Sequence, residues 1–234
     1  YNYCMIPNRM FINGCSFLTT RPRRGVHTHT GQELAKLMNL EVACQMANGG
    51  RGHKRLYWTT RAWCEKFVTL AQESFFLIGS SGGNRFDFPT SDGYKQHKFP
   101  DMTTTWKTWD PNRDEETIKF TRYLFKSGCD INQLIQIEAI SHLLALQDFF
   151  KIKKYPYVFY NTLSKPVIDN EDIQMMWNKI DKNNFFKPET SHLDYTVKNN
   201  QYCAEGDPHP NTEGHIQWAN QLKDFIDDHN LCPR

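Results

Sequence analysis

The sequence lacks several features that mark whole classes of protein. It contains no long uncharged apolar run, which excludes a transmembrane helix. The 28 Lys and Arg residues nearly balance the 26 Asp and Glu residues, and a net charge of +2 is not that of a nucleic-acid-binding domain. It has no internal repeat and no low-complexity segment. We therefore expect a folded protein with no nucleic acid as a partner and no insertion into a membrane.

Cysteine is present but carries no recognisable pattern. The seven cysteines are an odd number and include no CxxC pair, so a disulfide framework and a cysteine zinc site are both disfavoured. Reduced, packed thiols in a reducing compartment are expected. The first residues have neither a basic segment nor an apolar stretch that would make a signal peptide, although a leader removed before Tyr1 stays open.

Apolar and aromatic residues are plentiful: 39% of the 234 residues are hydrophobic and 14% aromatic. This is enough to bury one substantial core and to offset the entropy cost of ordering the chain. A single domain spanning residues 1–234 is the first expectation, and two small domains are the second.

Short apolar runs alternate with stretches of helical periodicity along most of the chain. Strands are predicted at 9–14, 41–47, 74–79 and 157–161. Helices are predicted at 31–39, 53–72, 115–127, 130–152, 173–180 and 213–228. This order predicts a three-layer α/β/α sandwich with a central parallel sheet of four or five strands. The stretches 85–114 and 165–200 are predicted to be loop insertions, the second with only the short helix at 173–180.

In a parallel sheet of this kind, ligands bind at the carboxyl ends of the strands. The segments at those ends are Gly14-Cys15-Ser16, Asn48-Gly49-Gly50, 79–84 and Asn161-Thr162. Ser16 follows the first strand directly, where a hydroxyl is exposed beside backbone N–H groups that can stabilise an oxyanion. The alternative is a serine that only caps a turn.

The segment Asp207-Pro208-His209-Pro210 is the strongest local feature. A residue before proline adopts extended geometry, which applies to both Asp207 and His209, and residues two apart in an extended segment project to the same side. This arrangement suits a carboxylate that orients a histidine general base. An Asx-type turn and helix cap at Asn211 and Thr212, with His209 on the surface, is the alternative.

These segments resemble the conserved blocks of the SGNH hydrolase family, also called GDSL-type esterases, and most of all small, divergent members encoded by bacteriophages. FINGCSF is similar to the first block, MANGGRGHKR to the second and GDPHPNTEGHIQWANQL to the fifth. The similarity runs in order from about residue 9 to residue 226, with 85–114 and 165–200 unmatched.

The resemblance implies a flavodoxin-like SGNH hydrolase fold and a serine esterase that removes an acyl group, most plausibly acetyl, from a carbohydrate or small molecule. Ser16 would be the nucleophile, His209 its general base and Asp207 the residue that orients His209. No cofactor and no metal would be needed. We expect the protein to lie in the host cytoplasm or in a virion. We also expect that it assembles into a virion or a homo-oligomer.

The oxyanion hole implied by the resemblance consists of the backbone N–H groups of Ser16 and Gly50, with Gly49 as the weaker choice, and the side chain of Asn84. Asn84 stands in an imperfect context for the third block of the family. The Asp–His separation is two residues where three is commoner, so Glu205 stays open as a substitute for Asp207.

Several other residues stay open as functional candidates. Cys15, which stands where the family commonly has Asp, is an alternative nucleophile. His27 and His29 have the spacing of two metal ligands but no evident third, and a solvated loop is the simpler interpretation. Two basic clusters, 21–24 and 51–55, indicate either an anionic substrate, with Arg51 and His53 contacting it, or ordinary solvated loops.

Two functions of other classes remain as alternatives to the esterase. One is a catalytically weak or inactive member of the fold that serves as a binding or structural module, for example in a virion. The other is a flavodoxin-like domain for redox chemistry or ligand binding.

Overall fold

The computed structural model describes residues 6–81, 85–90, 105–109 and 115–232. The strands, numbered in chain order, are β1 (Arg9–Asn13), β2 (Glu41–Gln45), β3 (Ser74–Ser80), β4 (Phe86–Thr90), β5 (Thr105–Trp109), β6 (Tyr157–Asn161), β7 (Phe185–Phe186), β8 (Tyr202–Ala204) and β9 (Asp207–Pro210). The helices are α1 (Thr30–Met38), α2 (His53–Lys66), α3 (Val68–Gln72), α4 (Glu115–Lys126), α5 (Ile131–Lys153), α6 (Glu171–Trp177), α7 (His192–Lys198) and α8 (Thr212–Asp228).

A five-stranded parallel sheet forms the centre of the molecule, with the strand order β2-β1-β3-β6-β7. The chain runs from β1 outward to β2 and then crosses back to β3, which is the order of the flavodoxin-like doubly wound sheets. Such a reversal leaves a crevice at the carboxyl ends of β1 and β3. The predicted parallel sheet of four or five strands is confirmed.

Helices cover both faces of the sheet because side chains alternate along the strands. Phe11 and Phe76 point to one face and pack with residues of α2, α5 and α6. Met10 and Phe75, their neighbours in sequence, point to the other face and pack with residues of α1 and α8. The three-layer α/β architecture predicted from the sequence is therefore present.

Two of the predicted boundaries differ from the structure. The helix predicted over 53–72 is interrupted at Phe67, where φ is −115° and ψ is 55°, so that α2 and α3 are separate. No glycine or proline marks this break in the sequence. The stretch 165–200, predicted to contain one short helix, also holds α7 and the two-residue strand β7, which completes the sheet.

Part of the stretch 85–114 is extended. The strands β4 and β5 pair antiparallel, with Phe86 opposite Trp109 and Thr90 opposite Thr105. The alternation of apolar and polar residues in FDF is typical of such strands, whereas TWKTW does not alternate. The prediction of a loop was wrong for these ten residues. That 85–114 and 165–200 are insertions into a single domain stays a prediction.

None of the helices in the described ranges has both the length and the apolar composition required to span a bilayer.

Candidate active site

The turn after β1 presents Ser16 at the carboxyl end of the sheet. Cys15 is extended and precedes a short 3-10 helix, Ser16–Leu18. The Cys15 side chain is buried, and its Sγ lies 3.1 Å from Oγ1 of Thr162 at the end of β6. The neighbouring side chains therefore diverge: the thiol of Cys15 points into the interior, whereas Ser16 is only half-buried.

Ser16, His209 and Asp207 form a continuous chain of hydrogen bonds. The Ser16 hydroxyl donates to Nε2 of His209 at 2.8 Å. Nδ1–H of His209 donates to Oδ1 of Asp207 at 2.6 Å. The carboxylate thereby fixes the tautomer in which Nε2 is free to accept the serine proton.

A small hairpin brings the carboxylate and the imidazole together. Strand β9 pairs antiparallel with β8, and Ala204 lies opposite Asp207 across a turn in which Gly206 has a φ of 76°. Directly after β9, the Asn211 side chain accepts the backbone N–H of Gly214 at 2.9 Å and caps α8. The extended Asp–His pair and the Asx cap, weighed as alternatives in the sequence, are both present.

Glu205, which stayed open as a substitute for Asp207, is exposed in the hairpin turn. Oδ1 of Asp207 accepts both the backbone N–H of His209, at 3.2 Å, and its ring Nδ1–H. In this structure, therefore, Asp207 and not Glu205 supplies the carboxylate that accepts the hydrogen bond from His209.

The electrostatics of the pair favour an ionised Asp207 and a neutral His209. Burial raises the pKa of Asp207, but the hydrogen bonds from His209 and the charge of Arg21 outweigh it and leave the pKa below its ordinary value. Burial lowers the pKa of His209; the hydrogen bond to Asp207 opposes this shift and the charge of Arg21 adds to it, with a net lowering. A neutral imidazole near pH 7 is the form that can act as a base.

The loop after β2 lies beside the Ser16 turn. A Cβ placed on Gly49 would be 3.9 Å from Cβ of Ser16, and the backbone N–H of Asn48 donates to the Gly14 carbonyl at 3.1 Å. The N–H of Gly49 is occupied, because it donates to Oδ1 of Asn48 at 2.6 Å.

The two predicted backbone donors of the oxyanion hole, Ser16 and Gly50, belong to these two loops. The N–H groups of Ser16 and Gly50 make no hydrogen bond to any part of the chain that the structure describes. Gly50 has a φ of 76°, a left-handed conformation that favours glycine. Asn84, the third predicted donor, lies outside the described residues.

The two predicted substrate contacts, Arg51 and His53, are buried and held by neighbouring side chains. The Arg51 guanidinium donates from Nη1 to Oδ1 of Asn13 and to Oγ1 of Thr59, both at 3.2 Å. Nε2 of His53 lies 2.8 Å from the Ser80 hydroxyl, and burial lowers the pKa of His53 to about 3. Substrate contact by either residue stays a prediction.

Comparison with known proteins gives only weak similarities. No protein-family profile matches the chain, and no curated protein gives a significant match. The solved structure of the YxiM protein of Bacillus subtilis aligns with a TM-score of 0.47 at 12% identity, covering 98% of this chain and 59% of that one. A candidate acylhydrolase of Bacteroides fragilis aligns with a TM-score of 0.42 at 11% identity, covering 97% of this chain and 91% of that one. Similarities at this level assign neither a family nor an activity.

Asn13, at the end of β1, forms a network of hydrogen bonds at the carboxyl edge of the sheet. It was not identified from the sequence as a candidate residue. Its buried amide donates from Nδ2 to Oγ1 of Thr59 at 3.1 Å and of Thr60 at 2.9 Å. Its Oδ1 accepts the backbone N–H of Gly14 at 2.9 Å as well as the Arg51 guanidinium. Asn13 thus ties the Ser16 turn to α2. A polar amide closing the apolar run RMFI was the available signal.

Both basic clusters make contacts within the chain that neither interpretation of the sequence included. Arg51 and Arg55 are buried, so a solvated loop is the wrong description of these two residues. Oδ2 of Asp87 accepts the backbone N–H of Arg55 at 3.0 Å. In the other cluster, Nη1 of Arg21 lies 3.3 Å from Oδ2 of Asp207. This contact was also missed, because spacing along the chain does not relate residue 21 to residue 207.

His27 and His29, whose spacing is that of two metal ligands, differ in their surroundings. His29 is buried, and burial lowers its pKa to about 4, whereas His27 is exposed. Within the described ranges, no group of three or more His, Cys, Asp or Glu side chains has the arrangement of a metal site.

Proposed function

We propose that this chain is a serine ester hydrolase of the SGNH type, with Ser16 as nucleophile, His209 as general base and Asp207 as the residue that orients His209. One observation carries the proposal: the continuous hydrogen-bonded chain from the Ser16 hydroxyl through His209 to Asp207, at 2.8 and 2.6 Å. It lies at the carboxyl end of β1, beside the crevice in which sheets of this order bind ligands.

In the proposed reaction, Oγ of Ser16 attacks the ester carbonyl while Nε2 of His209 takes the hydroxyl proton. The C–O bond to the alcohol then breaks, and the imidazolium returns the proton to the leaving oxygen. Water, deprotonated by His209 in turn, attacks the acyl-enzyme and releases the acid and free Ser16. Asp207 stays ionised throughout and stabilises the imidazolium.

The negative charge on the carbonyl oxygen is assigned to the backbone N–H groups of Ser16 and Gly50. Their lack of partners within the described chain supports this assignment, because unpaired N–H groups are ready to donate to a developing oxyanion. The side chain of Asn84 is retained as a third proposed donor. One such donor is worth about 2.7–4 kcal/mol of transition-state stabilisation.

The substrate is proposed as an acyl ester, with acetyl as the acyl group and a carbohydrate as the alcohol, following the family resemblance of the sequence. No cofactor enters the proposed mechanism.

Labelling with a fluorophosphonate probe tests the proposal. We expect wild type to be labelled, Ser16→Ala to be unlabelled, and Cys15→Ala, a matched change at the adjacent residue, to be labelled like wild type. An absence of labelling in well-folded wild type would refute the esterase and favour the alternative of a binding or structural module. Labelling lost with Cys15→Ala and kept with Ser16→Ala would assign the nucleophile to the thiol instead.

A panel of p-nitrophenyl esters and acetylated oligosaccharides then tests the substrate class. We expect turnover to fall as the acyl chain lengthens from acetyl to hexanoyl. Equal or higher turnover with hexanoyl would contradict an acetyl esterase while leaving the serine mechanism intact.

A further inference from the structure

The carboxylate of Asp207 has two partners, one on each oxygen. Oδ1 accepts Nδ1–H of His209 at 2.6 Å, and Oδ2 lies 3.3 Å from Nη1 of Arg21. The side chains of Arg21 and Asp207 are 27% and 17% exposed, so water screens this ion pair only in part. The chain of contacts from Ser16 therefore extends one residue further, to a guanidinium.

Arg21 lies in a turn whose backbone is held by hydrogen bonds. Its backbone N–H donates to the Val26 carbonyl at 2.7 Å, and the Val26 N–H donates back to the Arg21 carbonyl at 3.1 Å. Between them, Pro22 starts a short 3-10 helix and Gly25 closes it with a φ of 71°. Because the backbone is held at both ends, the Arg21 side chain starts from a fixed point beside the carboxylate of Asp207.

The charged and titratable groups around His209 come from several elements. Asp207, its neighbour on β9, favours the protonated imidazole, whereas Arg21 and Arg85 disfavour it. Electrostatic interactions also connect this set to Cys203 on β8, His215 on α8 and His53 on α2. Arg24, on the same turn as Arg21, interacts with Cys203. Arg21 is the cation of this set that touches the carboxylate of Asp207.

We propose that Arg21 belongs to this site: its guanidinium, in contact with the carboxylate of Asp207, supplies a positive charge that favours the unprotonated form of His209. This role rests on the proposed function. It differs from an ordinary surface ion pair because its loss changes the protonation of a second residue that Arg21 does not itself bind.

An NMR titration of the His209 imidazole tests the role without any need for activity. The His209 resonance is assigned by its absence in His209→Gln. In Arg21→Ala we expect the midpoint to move to higher pH, because the cation that disfavours the imidazolium is gone. Arg21→Lys, which keeps the charge, should move it back toward wild type. Arg23→Ala, a change to an exposed arginine of the same turn, is the matched control and should leave the midpoint in place.

The pH dependence of fluorophosphonate labelling gives the functional readout. The acid limb of the profile should move upward in Arg21→Ala by the same amount as the NMR midpoint. Its plateau should fall by no more than about fivefold, as expected for loss of a partly screened ion pair. Circular dichroism shows whether each variant is folded, and Arg21→Lys provides the test if Arg21→Ala is not.

The outcomes separate the two proposals. An unmoved His209 midpoint in folded Arg21→Ala, or an equal shift in Arg23→Ala, overturns the role of Arg21, whatever the labelling shows. A moved midpoint in a chain that never labels supports the electrostatic effect of Arg21 and refutes the proposed function.

Discussion

We expect the buried histidines to make the stability of this protein strongly dependent on pH between 7 and 5. Burial lowers the pKa of His29 to about 4, of His53 and His192 to about 3, and of His215 to about 2. The structure shows why protonation is resisted at His215: its Nδ1 accepts the backbone N–H of Thr30 at 3.2 Å, which requires a lone pair on that nitrogen.

The size of the effect follows from proton linkage. In the unfolded chain each histidine binds a proton below about pH 6.5, whereas in the folded chain each stays neutral down to its lowered pKa. Stability is therefore fully present above about pH 6.5 and is lost as the pH falls. At pH 5 each of the four histidines costs about 2 kcal/mol, and together they cost about 8 kcal/mol. A typical domain has only about 5–15 kcal/mol of stability in total.

Urea unfolding at half-unit steps from pH 7 to pH 5 measures this loss. His192→Phe keeps an aromatic ring on Trp218, against which the imidazole stacks at 4.8 Å, but removes the proton. It should reduce the slope of unfolding free energy against pH by about 1.4 kcal/mol per pH unit. A wild-type loss below about 2 kcal/mol between pH 7 and pH 5 would refute the reasoning.

Three further predictions concern the site and its support. Asp207→Asn should lower kcat of the proposed reaction by about 10³–10⁴, because the amide favours the wrong His tautomer, while Glu205→Gln should not; steady-state ester hydrolysis measures both. Gly14→Ala should destabilise the fold by about 1–3 kcal/mol, since its methyl group would lie 2.9 Å from a backbone carbonyl oxygen of β3; thermal unfolding measures the loss, and an unchanged Tm would contradict it. Asn13→Ala should cost about 2–4 kcal/mol in urea unfolding, because it removes an acceptor from buried Arg51; a loss below about 1 kcal/mol would show that the network is dispensable.

Local patterns were sufficient to predict four of the five strands of the central sheet. Met10, Phe11 and Ile12 of β1 form a continuous apolar run that is buried on both faces of the sheet, as is typical of a central parallel strand. Strand β7 was missed because two residues, Phe185 and Phe186, are too few to show any period. Strand β4 was missed although FDF alternates, and β5 was missed because TWKTW has no period of two.

In the candidate site too, local contacts could be predicted from the sequence and long-range contacts could not. The side-by-side arrangement of Asp207 and His209 follows from two prolines and is a local property. The contact of Arg21 with Asp207 joins residues 186 apart, and the contact of Arg51 with Asn13 depends on how α2 docks against β1. Such contacts are decided by tertiary packing, which composition and spacing along the chain do not encode. Roles for Ser16, Gly50 and Asn84 stay predictions until the labelling experiment is done.

The hydrogen bond between Ser16 and His209 joins residues separated by 193 positions. On a ribosome that adds about 5–20 residues per second, the serine is made about 10–40 seconds before the histidine that it contacts. During that interval the Ser16 hydroxyl has no histidine to accept its proton, even if other strands of the sheet have already formed. Ribosome-bound chains arrested before β9 should therefore not react with a serine-directed probe, and reactivity would report completion of the fold during translation.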